Sequence, residues 1–301
     1  MRLRSAIFLL AALALAPLAH AQQLAITFDD LPSHGPLAAG TTRLQVAQAI
    51  LDVMQREHLP PIYGMVNAVH IAEDPTTAAV LKAWTAAGNP LGNHTYAHVN
   101  LNTMSAEAFE DNIEKNEPYL KQYAGSADWH WFRYPFLAEG DTPEKSLGVR
   151  TWLAQHNYKI AEVNMSFGDY NWNPPYARCV AKHDDAAMKQ LHDTYLAAAD
   201  EAITASRKLA QGAYGHDIPY VLLMHIGAFD AHMFPELVAL YKSRGFTFVT
   251  LPEAESDPAY HDNAIAPLAS SAGHLAKFAA EHKVPYPHTT DYSKMLDSLC
   301  R

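Results

Sequence analysis

Short apolar runs alternate along the chain with longer segments in which apolar residues recur at helical spacing. The runs predict buried strands, and the spaced segments predict amphipathic helices. The predicted strands span residues 24–28, 62–66, 90–93, 129–133, 159–163, 220–225 and 246–250, and the predicted helices span about 44–54, 105–123, 143–156 and 185–209. Because the two kinds of element alternate, we expect an α/β fold of parallel strands joined by crossover helices.

Polar residues stand where three of the predicted strands end. Asp29 and Asp30 follow the first run, Arg133 ends a middle run and His225 ends a late one. In folds of this kind, active sites gather at the carboxyl ends of the strands. Two adjacent carboxylates are costly to keep ionised unless a cation or a division of roles separates them. The pattern predicts one shared site at this rim, although an Asx turn after the strand would by itself account for the acid pair.

Among the seventeen histidines, only His94 and His98 stand four residues apart. On a helical turn this spacing would place both imidazoles on one face, close enough to share a cation. A chain with so many histidines also produces such a pair by chance. His225 has a second interpretation as well, because a histidine after a fully apolar strand can be a hydrogen-bonded core residue.

Arg133 lies inside an apolar run, where an unpaired charge is costly. Asp169 is the expected partner. The pair would either contribute to a site or serve only as a structural salt bridge.

The first 21 residues have the features of a secretory signal peptide: Arg2 and Arg4, an apolar stretch over residues 6–18, and small residues at 19 and 21. The apolar stretch is too short to span a bilayer. We therefore expect an exported protein, periplasmic or secreted, without a membrane span once the peptide is removed. The remainder carries 20 basic and 32 acidic residues, a formal net charge of −12, which argues against nucleic acid as a partner.

After the peptide, the chain is long enough for one large domain over residues 22–255. Residues 173–219, which begin with Asn173 and two prolines, are a candidate insertion, and residues 256–301 are expected to pack on the domain as a C-terminal extension. Cys179 and Cys300 either form a disulfide, which an oxidising compartment would allow, or stay free. The oligomeric state is left open.

Five motifs follow one another in a fixed order: Thr27-Phe28-Asp29-Asp30, His94-Thr95-x-x-His98, Arg133-x-Pro135-Phe136, Ser166-x-x-Asp169-Tyr170 and Leu223-x-His225. Over roughly residues 22–255 this order resembles the polysaccharide deacetylases, which form carbohydrate esterase family four and are also called the NodB homology domain. The resemblance implies a distorted (β/α) barrel of about seven parallel strands. It also implies a divalent metal cofactor, with Zn²⁺ as the first choice and Co²⁺, Mn²⁺ or Ni²⁺ as alternatives.

The resemblance also implies roles for individual residues. The metal ligands would be Asp30, His94 and His98. Asp29 would be the general base toward water activated by the metal, and His225 would be the general acid for the leaving amine. The backbone N–H of Tyr134 and the metal would stabilise the oxyanion, and Arg133, held by Asp169, would orient Asp29. The groove for the sugar would be shaped by Pro135, Phe136, Trp131, Tyr170 and Trp172.

The implied activity is hydrolysis of N-acetyl groups from amino sugars in an acetylated polysaccharide or oligosaccharide of the chitin or peptidoglycan type. Two alternatives stay open: an O-acetyl esterase acting on a xylan-like polysaccharide, and a non-catalytic relative that binds glycans. The chain departs from the family pattern at Leu31, where glycine is usual, at Ser166, where aspartate is usual, and at Tyr170, where tryptophan is common. The bulkier Leu31 is expected to affect the turn or the groove beside Asp29.

Overall fold

A computed structural model describes residues 22–261 and 273–301 of the chain. Its strands are β1 (Gln22–Leu31), β2 (Tyr63–Val66), β3 (Leu91–Asn93), β4 (Trp131–Phe132), β5 (Lys159–Ile160), β6 (Tyr220–His225) and β7 (Phe246–Phe248). Its α-helices are α1 (Arg43–Arg56), α2 (Val69–Glu73), α3 (Ala78–Ala86), α4 (Ala106–Tyr123), α5 (Pro143–Gln155), α6 (Asn173–Lys182), α7 (Asp185–Tyr214), α8 (Ala228–Ser243), α9 (Leu251–Ala254), α10 (His274–Glu281) and α11 (Ser293–Ser298). The predicted signal peptide lies outside the described residues.

The strands form one seven-stranded sheet with the order β5-β4-β3-β2-β1-β6, and β7 pairs with the start of β1. Every pairing is parallel. The segment after β5 returns to the other edge of the sheet, where Met165 forms a parallel bridge with Leu222 of β6. The sheet therefore curls into a distorted barrel, and the predicted α/β fold of about seven parallel strands is confirmed.

All seven predicted strands are present, but β4 and β5 are shorter than their apolar runs. The hydrogen bonds between neighbouring strands continue one residue past both elements, from Arg133 N to the Asn93 carbonyl and from Ala161 N to the Phe132 carbonyl. The ladder stops there because the chain then turns into the loops at the rim. An apolar run reports burial, which extends further along the chain than regular pairing.

The helix ends follow ordinary capping chemistry. Thr42 and Gln45 form a capping box at the start of α1. The Asp184 side chain accepts a hydrogen bond from Ala187 N at the start of α7, and Gly215 ends that helix with φ +77°. Side-chain oxygens satisfy the free N–H groups of a first turn, and glycine adopts the left-handed cap without steric cost.

The core has two faces because successive residues of a strand point to opposite sides of the sheet. Phe28 points outward and makes edge contacts with Trp84 of α3 and Phe234 of α8, at ring distances of 5.7 and 5.4 Å. The interior of the barrel is filled from several strands by Ala25, Tyr63, Met65, Trp131, Ala161 and Val221. This packing holds the strand ends at the rim in fixed positions.

The described end of the chain packs against α6 and α7. Cys179 of α6 and Cys300 form a disulfide with a Cα–Cα distance of 5.1 Å, which settles the open question of their pairing. Arg178 donates to the carbonyls of Leu296 and Leu299 beside it. Residues 173–219 contain α6 and α7, and their status as an insertion stays a prediction, as does the domain boundary at 255. Within residues 22–261 and 273–301, no helix combines the length and apolarity needed to cross a membrane.

Candidate active site

A cleft of about 500 Å³ opens at the carboxyl ends of the strands. Its lining includes eight of the predicted site residues together with His34. The eight are Asp29, Asp30, His94, His98, Tyr134, Phe136, Tyr170 and His225. The rim predicted from the strand ends therefore exists, and residues almost 200 positions apart meet there.

Asp29 and Asp30 reach this cleft because β1 becomes irregular at its end. The register with β2 shifts between Phe28 and Leu31, and Asp30 has a φ of +66°. In a regular strand the two neighbouring side chains would point to opposite faces. The irregularity turns Asp30 back toward the cleft, as bulges beside active sites do. Aspartate is among the residues that best tolerate left-handed backbone.

Asp30, His94 and His98 each offer a ligand atom, and these atoms lie within 4.8 Å of one another. Asp30 Oδ1 lies 3.6 Å from His94 Nε2 and 3.5 Å from His98 Nε2. His94 Nδ1 lies 2.7 Å from the Arg133 carbonyl, to which it must donate. That hydrogen bond leaves the Nε2 lone pair free and directed at the carboxylate.

These residues fit a divalent cation. Asp30 Oδ1 is buried and has no hydrogen-bond partner among the described residues. A buried acceptor without a partner is costly, and a cation between the carboxylate and the two imidazoles would satisfy it. One carboxylate and two imidazoles are a common donor set for catalytic zinc, which keeps a further position open.

The predicted helical turn around the histidine pair is wrong. His94 follows β3 in a loop, and both Thr95 and His98 have positive φ values of +61° and +50°. Asn67 Nδ2 holds this loop by donating to the Thr95 carbonyl at 2.9 Å. The imidazoles meet because long-range hydrogen bonds fold the loop, and the four-residue spacing has no helical meaning here.

Neighbouring charges shift the titration of the ligand group. Burial by itself raises the pKa of Asp30, but the hydrogen bond from His34 and the nearby His225, His94 and His98 hold that pKa well below its usual value. Burial, reinforced by the adjacent His94, lowers the pKa of His98 to about 4. A carboxylate that stays ionised and an imidazole that stays neutral are both suited to bind a cation.

Asp29 lies on the barrel side of the cleft, where its side chain is 3% exposed. Both carboxylate oxygens lie 3.4 Å from Arg133 Nη1. Arg133 is itself held by Thr27 Oγ1 at 3.0 Å and by the Ala161 carbonyl at 2.6 Å. A buried charge pair needs such additional hydrogen bonds to fix its geometry.

The predicted pairing of Arg133 with Asp169 is wrong. Asp169 instead accepts from His225, at 2.7 Å from the backbone N and 3.0 Å from Nδ1. The Met165–Leu222 bridge sets the loop that carries Asp169 beside the end of β6 rather than beside β4. Burial by itself lowers the pKa of His225, but the Asp169 carboxylate, with Asp30 and Asp29 behind it, outweighs burial and raises that pKa to about 10.

The predicted groove residues divide into two groups. Phe136 and Tyr170 lie on the lip of the cleft and are 50% and 45% exposed. Trp131 and Trp172 are buried, at 5% and 2% exposure, and they do not line the cleft. Their assignment to the groove is therefore wrong, because Trp131 fills the barrel interior and Trp172 packs against Tyr195 and Tyr292.

The loop after β4 supplies the remaining predicted residues. Pro135 is buried at the start of a 3-10 turn (Pro135–Leu137), and Tyr134 precedes it. Among the described residues, the backbone N–H of Tyr134 donates to no acceptor. An unpaired N–H at the cleft is the kind of donor that an oxyanion requires.

Two residues near Asp30 were not anticipated correctly. His34, which was not among the predicted site residues, lies 2.6 Å from Asp30 Oδ2 through its Nδ1. The only signal for it was its position in the turn that follows the acid pair. Leu31, which departs from the family pattern, does not enter the cleft: it is buried, and a methyl group on Gly64 of β2 would overlap its side chain. Gly64 therefore provides the space that the larger residue needs.

The fold and cleft define a parallel (β/α) barrel with an Asp-His-His group at its rim. Residues 19–152 match the family model described as "Polysaccharide deacetylase". The match covers less than half of the chain, and over these residues the chain is similar to the polysaccharide deacetylase family.

Similar proteins agree with this family. The chain is 25% identical over 148 residues to a peptidoglycan-N-acetylglucosamine deacetylase of Bacillus cereus, a match that covers 49% of this chain and 46% of that protein. The chain thus spans about half the length of this curated relative.

Two of the solved structures that share the fold serve as examples. One is a pseudoenzyme of carbohydrate esterase family four from Bacillus anthracis, with 14% identity, a TM-score of 0.53 and coverage of 78% of this chain and 66% of that one. The other is the chitin deacetylase of the fungus Colletotrichum lindemuthianum, with 21% identity, a TM-score of 0.52 and coverage of 77% and 86%. At these identities the likeness concerns the fold.

Proposed function

We propose that this protein is an exported, metal-dependent hydrolase that removes N-acetyl groups from amino sugars in a polysaccharide of the chitin or peptidoglycan type. The observation that carries the proposal is the unpartnered, buried Asp30 Oδ1 facing His94 and His98. Asp29 and His225 open onto the same cleft. The match to the polysaccharide deacetylase family model and the similarity to a peptidoglycan deacetylase support the choice of substrate class.

Asp30, His94 and His98 would hold the metal, for which Zn²⁺ suits the oxygen and nitrogen donors, with Co²⁺, Mn²⁺ or Ni²⁺ as alternatives. When bound, the metal supplies Lewis-acid polarisation and lowers the pKa of water. His94 contributes through Nε2, because its Nδ1 is engaged with the Arg133 carbonyl.

Asp29 is suited to act as the general base. Its carboxylate is buried beside the guanidinium of Arg133, and the contacts of Arg133 with Thr27 and Ala161 keep that guanidinium in place. A positioned carboxylate at the wall of the cleft can accept the proton of the attacking water. Arg133 therefore serves as a positioning residue for the base.

His225 is suited to act as the general acid. Asp169 accepts from Nδ1 and from the backbone N of the same residue, so the ring orientation is fixed and Nε2 is left to face the cleft. The raised pKa keeps the imidazole protonated at neutral pH. A protonated histidine helps an amine to leave, and an amine needs this help more than an alcohol does. The arrangement thus favours N-acetyl over O-acetyl substrates.

The lip of the cleft offers surfaces for a sugar. Phe136 and Tyr170 expose aromatic rings there, and exposed rings of this kind can pack against the apolar face of a pyranose. The free N–H of Tyr134 would donate to the oxyanion that forms as water attacks the acetyl carbonyl. Pro135 fixes the backbone that presents this group. Export is proposed from the features of residues 1–21.

Acetate release from N-acetylated chitin oligomers and from peptidoglycan tests the proposal. We expect release that a chelator abolishes and added Zn²⁺ restores, and a loss of roughly 100-fold or more in Asp29→Asn, the range of general-base catalysis. Asp52→Asn is the matched control, since Asp52 is exposed on α1 and accepts a hydrogen bond from Gln48 of the same helix. It should retain wild-type activity.

Other outcomes would point to other functions. Release that resists the chelator, or that is unchanged in Asp29→Asn, would contradict the mechanism. Acetate from xylan esters but not from amides would identify an O-acetyl esterase. Glycan binding without any acetate would identify a non-catalytic relative.

A further inference from the structure

The turn directly after Asp30 is held by a backbone hydrogen bond and by a glycine with positive φ. Ser33 N donates to the Asp30 carbonyl at 2.8 Å, which closes the turn. Gly35 then turns the chain with a φ of +61°, and an added Cβ there would lie 3.3 Å from the Asn173 side chain. Glycine meets both the backbone conformation and the close approach.

His34 divides the two oxygens of Asp30. Its Nδ1 lies 2.6 Å from Oδ2, and since a carboxylate only accepts, Nδ1 is the donor. Oδ1 is thereby left as the oxygen that faces His94 and His98. Of the two oxygens, Oδ1 is the one without a hydrogen-bond partner among the described residues. The carboxylate cannot rotate to exchange its oxygens without breaking the bond to His34.

Arg43 holds His34 in place from the first turn of α1. Its Nη1 donates to the His34 carbonyl at 2.7 Å and its Nη2 donates to the Gly35 carbonyl at 2.6 Å. A guanidinium that makes two bonds in a fixed fork fixes the backbone more firmly than a single donor would. On the cleft side, the His34 ring contacts the ring of His225 at 4.8 Å. Arg43 thus holds the backbone of His34, and His225 packs against its ring.

We propose that His34 is a positioning residue for the metal ligand Asp30, and that Arg43 supports it from outside the cleft. This inference rests on the proposed function, because it requires that Asp30 bind a metal. Ligating carboxylates depend on such hydrogen bonds, and loss of one typically weakens metal affinity 10- to 100-fold.

Zinc affinity, measured on the full protein by competition with a chromophoric chelator, tests this role without any substrate. We expect His34→Ala to bind Zn²⁺ about 10- to 100-fold more weakly than wild type. His34→Asn should recover most of that loss, because its amide N–H can take the place of the Nδ1 donor. Arg43→Ala should show a smaller loss in the same direction.

His70→Ala is the matched control, since His70 pairs with Glu73 at 3.3 Å on the surface. It should leave zinc affinity unchanged. Equal zinc affinity in His34→Ala and wild type would overturn this inference but not the proposed function. Equal losses of zinc affinity in His34→Ala and His34→Asn, accompanied by equal drops in Tm, would also overturn it. A wild-type protein that binds none of Zn²⁺, Co²⁺, Mn²⁺ and Ni²⁺ would instead overturn the proposed function, and this inference with it.

Discussion

The Asp169–His225 contact allows a quantitative test of the proposed acid. In Asp169→Asn the shape of the side chain is kept but its charge is lost. The structure places Asp169 Oδ1 3.0 Å from His225 Nδ1 and Oδ2 2.7 Å from the backbone N. Asparagine has one oxygen and one NH₂ group where aspartate has two oxygens, so its NH₂ group would face one of these two N–H donors.

The expected size of the effect follows from the pKa. Burial alone lowers the pKa of His225, yet that pKa is raised from 6.5 to about 10, chiefly by Asp169. One opposite charge in contact accounts for about 1–3 pKa units. At a pH above the pKa of His225 in both wild type and Asp169→Asn, the protonated fraction of His225 should therefore be about 10- to 1,000-fold lower in the variant.

The raised pKa of His225 also predicts how the free energy of unfolding depends on pH. Because the folded-state pKa is raised, the charge pair contributes to the free energy of unfolding in full below pH 6.5, and this contribution is lost as the pH rises through about 10. The variant should lack this dependence. Wild type and variant must be compared in the same metal-loaded state, since a cation at Asp30 changes the charge that faces His225.

Two measurements check the prediction. Histidine-detected NMR titration gives the pKa of His225 directly, and the basic limb of kcat/KM for acetate release should move down by the same amount. Asp128→Asn is the matched control, because Asp128 also lies 3.0 Å from a histidine Nδ1, that of His130, but at the surface. It should leave the His225 titration in place. An unshifted titration in Asp169→Asn would refute the reasoning.

Three further predictions concern groups around the cleft. Tyr170→Ala should raise KM and leave Tm unchanged, whereas Trp172→Ala, at a site 2% exposed, should lower the free energy of unfolding by about 3–5 kcal/mol; a thermal melt and Michaelis kinetics separate the two. Replacing both Cys179 and Cys300 by serine should lower the free energy of unfolding by about 2–5 kcal/mol, because their disulfide joins residues 121 positions apart. Urea unfolding under non-reducing conditions measures this change. Gly64→Ala should lower the free energy of unfolding by about 1–3 kcal/mol, because the added methyl group would overlap the Leu31 side chain. An unchanged urea midpoint would contradict this prediction.

The fold was predictable from the sequence because burial leaves a local signature. Each buried strand is an apolar run, and the alternation of runs with helical spacing indicates parallel pairing. What could not be predicted is where pairing stops. In β4 and β5 only two residues each are regular, since the chain leaves the ladder as soon as it supplies the rim.

The site was predictable only in outline. The family order of motifs selected the residues that the cleft brings together, but not how each is held. Asp169 pairs with His225 because a single bridge at Met165 sets its loop against β6. No local pattern carries that information. Likewise, Trp131 and Tyr170 are both aromatic and both adjacent to a motif, and only the packing separates the buried ring from the exposed one.

Neighbouring acids can take separate tasks here because of the backbone between them. Asp29 shares its strand face with Ala25, so its side chain points into the barrel, where it pairs with Arg133. A regular strand would send Asp30 toward the helices, away from His94. The left-handed φ of Asp30 reverses this direction, and it constrains the position twice. Asparagine would accept the backbone conformation but lack the charge for a cation, whereas glutamate would keep the charge but fit a left-handed conformation poorly. Aspartate alone meets both demands, which explains why the acid pair ends the strand as it does.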